Sequence, residues 1–265
     1  MVTLPDNARN RFDLSNTVAW IPGGTGLLGS AVSLALAEHG AHVVVSGRVA
    51  ERAESVAASI RERGLSAETV VLDVRDEEAV ESTAASIVLR HGHLDSCVNL
   101  AYHSTGKTFL ELTAQDWDEG MRATATSAFL VGRAAGRVMA TGGSIVQFSS
   151  MYGMVSPDPR NYPESVPINP PDYGFAKAGI LQLVRYQAVQ LGPRGVRVNA
   201  VVPGPFPSPA ALAKEDFGER LRSRVPLGRT GMPEEIVGAV IFLCAPAASF
   251  VTGTSIVIDG GWTAW

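Results

Sequence analysis

Short apolar runs rich in β-branched residues alternate along the chain with longer amphipathic stretches. Continuous apolar runs are typical of strands buried on both faces, whereas apolar residues spaced three or four apart indicate helices. The pattern predicts seven strands, at 18–21, 43–45, 69–72, 95–99, 144–148, 196–202 and 255–258. It predicts helices that end at 39 and 63, and further helices near 76–90, 114–139, 173–191 and 233–244. This alternation predicts an α/β fold, a doubly wound parallel sheet with helices on both faces.

Length and composition narrow the class of protein. A chain of 265 residues that is 46% hydrophobic can bury one large core, so we expect a single domain over 1–265. Residues 1–16 form an N-terminal extension that carries charges and no continuous apolar stretch, so we expect neither a signal peptide nor a membrane anchor, and a cytoplasmic protein. The net charge of −4 and the lack of a Lys/Arg cluster argue against a nucleic-acid partner.

A glycine-rich turn separates the first predicted strand from the first helix. Backbone N–H groups of such a turn, together with the helix N-terminus, can hold a pyrophosphate, and glycine allows the ligand to approach closely. The residues expected to bind a dinucleotide there are Gly23, Thr25, Gly26, Leu28 and Gly29. The alternative is a tight turn that binds nothing.

The end of the second strand indicates which dinucleotide is bound. It carries Arg48 and no carboxylate where a ribose 2′-hydroxyl would be held, which favours NADP(H) over NAD(H) because a guanidinium can pair with a 2′-phosphate. Alternatively, Arg48 begins the next helix in solvent. Asp73 and Val74, after the third strand, suit the edge of an adenine, although a helix N-cap is a comparable interpretation of Asp73.

Tyr173 and Lys177 lie one helical turn apart on a predicted helix. A nearby fixed cation stabilises a phenolate and lowers the pKa of the phenol toward the range in which it exchanges protons. Tyr173 is therefore a candidate general acid/base. A tyrosine–lysine pair is more often a surface pair, so other motifs have to support this interpretation.

Metal binding is not predicted. The five histidines show no metal-ligand spacing with cysteine or acidic residues. Cys97 and Cys244 stand in apolar segments and are expected to be small buried residues rather than a disulfide.

Taken together, these motifs resemble the classical short-chain dehydrogenase/reductase family over almost the entire chain. The segments Arg197–Ala200, Pro226–Arg229 and Asp259–Gly261 are also similar to the family's patterns. The resemblance implies a Rossmann-type sheet, a nicotinamide cofactor and a homodimer or homotetramer. It implies that Ser150 hydrogen-bonds the substrate oxygen, that Tyr173 exchanges its proton, and that Lys177 binds the nicotinamide ribose and lowers the pKa of the tyrosine. Further cofactor contacts are implied for Asn99, Ala101, Pro203, Gly204 and Ser208.

Four positions depart from the family's pattern. Pro22 replaces the usual threonine, the spacing of Gly23, Gly26 and Gly29 resembles the family's extended branch, and Tyr102 replaces a glycine near the cofactor. Thr124 stands where the resemblance places the asparagine of the catalytic tetrad. A threonine hydroxyl can hold a water but lacks the amide, so we expect Thr124 to support an altered proton relay.

A 22-residue segment, 151–172, connects Ser150 to Tyr173 and is expected to roof a substrate site. Its hydrogen-bonding side chains favour a small polar substrate of the sugar, polyol or cyclitol type, with Tyr102, Tyr152 and Arg160 as candidate contacts. A solvated surface loop is the alternative.

Three functions remain open at this point. The first is an NADP(H)-preferring reductase or dehydrogenase that interconverts a secondary alcohol and a ketone. The second is a catalytically decayed, cofactor-binding sensor or assembly partner, suggested by Pro22, Tyr102 and Thr124. The third is an epimerase or dehydratase with tightly held cofactor, suggested by the glycine spacing. Trp262 and Trp265 at the C-terminus are expected to contribute apolar surface for subunit contacts.

Overall fold

A seven-stranded sheet forms the centre of the computed structural model, which describes residues 11–214 and 216–265. Its strands are paired in parallel in the order β3-β2-β1-β4-β5-β6-β7. Their bounds are β1 Val18–Pro22, β2 His42–Gly47, β3 Ala67–Val71, β4 Ser96–Asn99, β5 Ser144–Phe148, β6 Arg197–Pro203 and β7 Ser255–Ile258. The predicted seven-stranded α/β fold is confirmed, with strand boundaries that match the prediction or differ from it by one or two residues.

Helices cover both faces of this sheet. They are α1 Leu27–Glu38, α2 Ala50–Arg61, α3 Glu77–His91, α4 Ala114–Met121, α5 Ser127–Val138, α6 Pro171–Leu191, α7 Pro209–Leu212, α8 Phe217–Arg224 and α9 Glu234–Cys244. Side chains of α1, α2 and α9 share one core cluster, whereas those of α3, α5 and α6 share another. Adjacent residues of one strand point to opposite clusters, as Val43 and Val44 do. Burial on both faces explains why the central strands β1 and β2 are mostly apolar, whereas the edge strands β3 and β7 are only partly buried.

The predicted helix over 114–139 is divided into three parts. A π-helical turn, Arg122–Thr126, separates α4 from α5. The Ser127 hydroxyl supports it by donating to the carbonyl oxygen of Ala123 (2.8 Å), and Thr124 within the turn is fully buried. Sequence periodicity does not show this turn, because one inserted residue changes the helical spacing very little.

Three other elements differ from the sequence-based expectation. α6 begins at Pro171, so Asp172 lies inside its first turn and is buried, rather than acting as the N-cap. The proline-rich connection after β6 contains the short helices α7 and α8. Trp262 is only 8% exposed and packs inside the chain, so of the two C-terminal tryptophans only Trp265 offers exposed surface.

The N-terminal extension was expected over 1–16, of which 1–10 lie outside the described residues. Residues 11–16 pack on the domain. Leu14 is buried in the core, and the Arg11 guanidinium donates to the carbonyl oxygen of Pro246 (2.9 Å). In the described part of the chain, no helix is both long and apolar enough to cross a membrane.

The strand order creates the crevice in which the site lies. From β1 the chain winds outward to β2 and β3, and then returns to β4 on the other side of β1. Loops that leave the carboxyl ends of β1 and β4 therefore diverge, which opens a cleft at that edge. Below it, Asn99 at the end of β4 donates to Gln147 of β5 (2.9 Å), and Gln147 donates to the carbonyl oxygen of Ala128 in α5 (2.9 Å).

Replacement of Gln147 tests this buried hydrogen-bond chain. We expect Gln147→Leu, which keeps the side-chain size, to lower the free energy of unfolding by about 1–3 kcal/mol, because the Asn99 amide loses its partner in a fully buried site. Urea unfolding measures the change. The matched control, Gln190→Leu on the exposed side of α6, should change it by less than about 0.5 kcal/mol; equal effects of the two variants would contradict the role of the chain.

Candidate active site

The glycine-rich turn between β1 and α1 forms one wall of the cleft. Gly23 has φ +80°, and a Cβ there would lie 2.6 Å from the backbone nitrogen of Ala101, so the turn packs directly on the loop after β4. A Cβ on Gly29 would lie 2.3 Å from the carbonyl oxygen of Gly23. No side chain caps α1 at Gly26. The first-turn N–H groups of α1 are therefore available to an anion such as a pyrophosphate.

Two adjoining cavities make up the cleft, and both are bordered by Gly23, Gly26, Leu100 and Tyr102. The first contains most of the residues predicted to bind the adenosine part of a dinucleotide: Thr25, Arg48, Asp73, Val74 and Ala101. The second contains the predicted residues of the reacting part: Leu28, Gly29, Ser150, Tyr173, Lys177, Pro203, Gly204 and Ser208. The predicted sites are thus arranged as two ends of one elongated cleft.

Charge in the first cavity is arranged differently from the sequence-based expectation. Both carboxylate oxygens of Asp73 are bound by the Arg75 guanidinium, at 3.0 and 2.6 Å. This hydrogen bonding, with a smaller contribution from Arg48, lowers the pKa of Asp73. The N-cap of α3 is Asp76, not Asp73. Asp73 therefore orients Arg75, a second guanidinium of this cavity that the sequence did not single out, although it stands two residues from the predicted Asp73.

Ser150, Tyr173 and Lys177 meet in the second cavity. Ser150 directly follows the strand-end pair Phe148–Ser149, while Tyr173 and Lys177 stand one turn apart on α6. Two reciprocal hydrogen bonds join these elements: the Lys177 ammonium donates to the carbonyl oxygen of Phe148 (2.7 Å), and the Ser149 hydroxyl donates to that of Lys177 (2.7 Å). The Ser150 hydroxyl accepts the Tyr152 backbone N–H (3.2 Å), so its own proton remains free to donate.

Burial sets the protonation of both catalytic candidates. Desolvation raises the pKa of Tyr173 to about 12, while the Ser150 hydroxyl acts in the opposite direction. Desolvation lowers the pKa of Lys177 to about 7. The pKa of Tyr173 thus moves opposite to the expected direction, because desolvation of the phenol outweighs the Ser150 hydrogen bond. The buried Lys177 is itself discouraged from carrying charge.

Tyr102 covers the catalytic pair from the side of the cleft. Its ring lies edge-on to that of Tyr173, with centroids 5.8 Å apart, and the Lys177 ammonium lies 5.4 Å from the Tyr102 ring centre. The side chain is 60% exposed. Tyr102, one of the four departures from the family's pattern, therefore lines the cavity of the candidate residues, where its ring face favours a positive charge on Lys177.

Two predicted residues lie behind the cleft rather than in it. Asn99 is buried; its side-chain oxygen accepts the Ala101 backbone N–H (3.2 Å), which fixes the loop against which Gly23 packs. The Thr124 hydroxyl accepts the backbone N–H of His103 (3.2 Å) and donates to the His103 carbonyl oxygen (3.1 Å). Since the only hydroxyl proton of Thr124 is used in this way, its expected role in a relay is replaced by positioning of the loop after β4.

The segment over 151–172 does not place its predicted residues at the substrate. Arg160 has a side chain that is 83% exposed and pairs with Asp158 (2.7 Å), so it points into solvent and does not line either cavity of the cleft; this expectation is corrected. Tyr152 is buried among Phe217 and Trp262, outside the lining of the cleft. The segment packs on α8, where the Arg220 guanidinium donates to the carbonyl oxygen of Arg160 (3.1 Å), and none of its residues lines either cavity.

Sequence reasoning missed two aromatic residues in or beside the site. Phe206 lines the second cavity and is followed closely by Ser208, which caps α7. The Tyr162 hydroxyl lies 2.5 Å from that of Tyr152 and accepts from the Asn169 amide (3.1 Å). Tyr162 packs against the same apolar cluster as Tyr173, outside the lining of the second cavity. The one sequence signal for Phe206 and Tyr162 is that both stand in segments that flank the predicted site residues.

Comparisons with known proteins agree with this geometry. A family model described as enoyl-(acyl carrier protein) reductase matches residues 26–263. Gluconate 5-dehydrogenase of Gluconobacter oxydans is 33% identical over 257 residues, covering 95% of this chain and 96% of that protein. Cis-4-hydroxycyclohexanecarboxylate dehydrogenase of Sinomonas cyclohexanicum is 38% identical over 251 residues, covering 93% of this chain and 96% of that protein.

A solved structure has the same arrangement of the chain. The crystal structure of a gluconate 5-dehydrogenase from Burkholderia cenocepacia, in complex with NADP and tartrate, superposes with a TM-score of 0.86 at 27% identity, covering 97% of this chain and 98% of that one. Both the sequence relatives and the solved structure are therefore matched over nearly their whole length.

The buried ammonium of Lys177 makes stability depend on pH. Because its pKa falls to about 7 from an ordinary 10.5, the unfolded chain binds one more proton than the folded chain from about pH 7 to about pH 10, and Lys177 makes stability rise with pH there. This rise in the free energy of unfolding amounts to at most about 1.4 kcal/mol per pH unit, and we expect Lys177→Met to remove it. Urea unfolding at several pH values measures it.

The exposed Lys214 supplies the control for this measurement. Lys214→Met should keep the pH dependence of the unmodified protein. If Lys177→Met followed the same pH profile as the unmodified protein, the lowered pKa of Lys177 would be refuted.

Proposed function

Because the chain belongs to the short-chain dehydrogenase/reductase family, we propose that it interconverts a secondary alcohol and a ketone on a small polar metabolite, with NADP(H) as the preferred cofactor. The observation that carries this proposal is that Ser150, Tyr173 and Lys177 line one cavity that continues into the glycine-rich turn. A substrate oxygen at Ser150 and Tyr173 would then lie at the reacting end of a dinucleotide bound along the cleft.

Each residue of this set has a separate task. The Ser150 hydroxyl, whose proton is free, donates to the substrate oxygen. Tyr173 gives its proton to that oxygen during reduction and takes it back during oxidation. The bound nicotinamide supplies or accepts the hydride. Lys177 keeps one N–H on the carbonyl oxygen of Phe148, and its other N–H groups are available to the nicotinamide ribose.

The raised pKa of Tyr173 suits its role as a proton donor and has to be lowered for the reverse direction. Any positive charge that arrives beside the phenol does this, because an opposite charge within about 4–6 Å favours the phenolate. Lys177 provides that charge when it is protonated, and the adjacent ring face of Tyr102 stabilises the protonated form. We infer that ligand binding in the cleft, rather than Lys177 alone, prepares Tyr173 for proton exchange.

The preference for NADP(H) is supported by charge at the adenosine end. Arg48 follows β2 directly, is exposed and lines the cleft, so its guanidinium can reach a 2′-phosphate. The nearby carboxylate of Asp73 is already neutralised by Arg75 and does not offer a free acceptor for a ribose hydroxyl. The related gluconate 5-dehydrogenase from Burkholderia cenocepacia is named as a complex with NADP.

A hydroxylated substrate is supported by the relatives and by the wall of the cavity. The named substrates of the two sequence relatives, gluconate and a hydroxycyclohexanecarboxylate, are small and polar. The Tyr102 phenol lines the cavity beside Tyr173 and can hydrogen-bond hydroxyl groups of a ligand. We therefore propose a substrate of the sugar, polyol or cyclitol type.

We also propose that the protein assembles into homodimers or homotetramers. Large apolar side chains remain exposed near the C-terminus: Phe250 and Trp265 have exposed fractions of 103% and 76%. Aromatic side chains are enriched in the contact surfaces between protein chains.

Replacement of Tyr173 tests the proposed chemistry. We expect Tyr173→Phe to lower kcat/KM by about 10²–10⁴-fold for any accepted substrate, because the exchangeable proton is lost, while NADPH binding stays within about threefold. NADPH absorbance is followed with a panel of keto-sugars, polyols and cyclitols. Tyr186→Phe, an exposed tyrosine on the same helix, should retain full activity. The unmodified protein could instead bind cofactor and form an epimerised or dehydrated product with no net change in NADPH absorbance. That result would favour the epimerase or dehydratase.

Replacement of Arg48 tests the cofactor preference. We expect Arg48→Ala to lower kcat/KM with NADPH by about 10–100-fold, because one charge-assisted contact is lost. The same variant should change kcat/KM with NADH by less than about threefold. The control is Arg52→Ala, an exposed arginine at the start of α2. A parallel loss with both cofactors, or no loss with NADPH, would contradict the role of Arg48.

A further inference from the structure

Three side chains with metal-binding groups meet at the edge of the sheet opposite the cleft. His42 is the first residue of β2, Glu68 lies in β3, and His91 is the last residue of α3. One ligand atom from each lies within 4.8 Å of the other two. We propose that His42, Glu68 and His91 bind a zinc ion or a similar divalent transition-metal ion, with solvent as the fourth ligand.

The fold, not local sequence, assembles this set. Glu68 pairs in register with Val44, two residues after His42, so His42 and Glu68 project from the same face of neighbouring strands. Val44 packs on that face in the same core cluster as Ile87 of α3, and this packing brings the end of α3 to the two strands. The ligands come from three separate elements, which explains why no metal-ligand spacing is visible in the sequence.

The hydrogen bonding of His42 leaves one ring nitrogen ready for a metal. Its Nδ1 lies 2.6 Å from the hydroxyl oxygen of Ser66. Its Nε2 is buried and has no hydrogen-bond partner among the described residues, since the nearest carboxylate oxygen of Glu68 is 3.9 Å away. The tautomer that avoids an unpaired buried N–H carries the proton on Nδ1, donating to Ser66. A lone pair on Nε2 then faces the other two ligands, the arrangement usual for metal-binding histidines.

Distances in the cluster are close to those of a tetrahedral site. The Nε2 atom of His91 lies 3.1 Å from Oε1 of Glu68, whereas tetrahedral bonds of about 2.1 Å separate two ligand atoms by about 3.4 Å. The imidazole rings of His42 and His91 have centroids 4.4 Å apart. The three side chains are 22–29% exposed, so an ion and its bound water can reach the site from solvent.

Arg90 is the one basic side chain that contacts this carboxylate besides the two histidines, within the described part of the chain. Its guanidinium lies 2.7 Å from Oε1 of Glu68 and is 42% exposed. No hydrogen bond joins Oε2 to Arg90, and Oε2 is the oxygen nearer to His42. A metal can therefore bind this carboxylate through Oε1, 3.1 Å from His91, once Arg90 moves into solvent, or through Oε2 while Arg90 keeps Oε1.

A metal at this position would join β2, β3 and α3 at the far edge of the sheet from Ser150 and Tyr173. It would add to stability by binding only the folded chain, in which the three ligands are together. The metal should leave the reaction unchanged, because His42 and Glu68 lie at the amino ends of their strands, whereas the cleft lies at the carboxyl ends.

Zinc titration of protein without a histidine tag, treated first with a chelator, tests this inference. Isothermal titration calorimetry with ZnCl₂ should give one ion per chain, and Co²⁺ should give the visible absorption of a tetrahedral site. A hundredfold excess of Zn²⁺ over its Kd should raise Tm by about 5 °C or more. His42→Gln and His91→Gln should each weaken binding at least about tenfold and remove the rise in Tm. Ser66→Ala should weaken it about 10–100-fold without removing a ligand.

The matched control is His93→Gln. His93 also pairs with a carboxylate, Asp95 (2.6 Å), but it belongs to no three-ligand group among residues 11–214 and 216–265. It should bind Zn²⁺ as the unmodified protein does. Absence of zinc binding, or equal losses in His91→Gln and His93→Gln, would overturn the inference. Circular dichroism and NADPH binding show whether each variant is folded. If His42→Gln does not fold, His91→Gln, at the end of a helix, provides the test of the ligand set.

Discussion

The reciprocal pair of hydrogen bonds between β5 and α6 is the constraint on which the catalytic arrangement depends. The Lys177 ammonium binds the carbonyl oxygen of Phe148, and the Ser149 hydroxyl binds the carbonyl oxygen of Lys177. Space beside them is so limited that a Cβ on Gly153 would lie 2.7 Å from the carbonyl carbon of Lys177. Helix and strand end are therefore fixed at one distance, and Ser150 and Tyr173, which belong to these two elements, are fixed with them.

The same burial that fixes Lys177 also limits its electrostatic effect. An ammonium with one backbone partner and little solvent favours its neutral form, so the pKa values of Lys177 and Tyr173 move in the directions that reduce charge in the cavity. Tyr102, which lies beside both, adds a ring face that attracts a cation. At the other end of the cleft the Arg48 guanidinium supplies positive charge, whereas that of Arg75 is paired with Asp73.

The two edges of the sheet have separate chemical characters. Carboxyl ends of the strands carry glycines, hydroxyl groups and the buried lysine around the cleft. At the amino ends of β2 and β3, imidazole and carboxylate groups meet without any link to the reacting atoms. Since the parallel strands are rigid and buried, a group bound at one edge can stabilise the sheet while the other edge keeps its geometry.

By itself, the sequence determined the α/β class, the seven strands, the glycine-rich turn and the pairing of Tyr173 with Lys177, because each depends on local spacing along one or two elements. Tertiary structure alone decided the rest. Arg160, polar and placed between catalytic residues, faces solvent because Asp158 holds it, and Thr124 is committed to His103 by contacts 21 positions away along the chain. The π-helical turn, the second guanidinium at Arg75 and the meeting of His42, Glu68 and His91 depend on how distant elements pack, which the periodicity of one sequence does not encode.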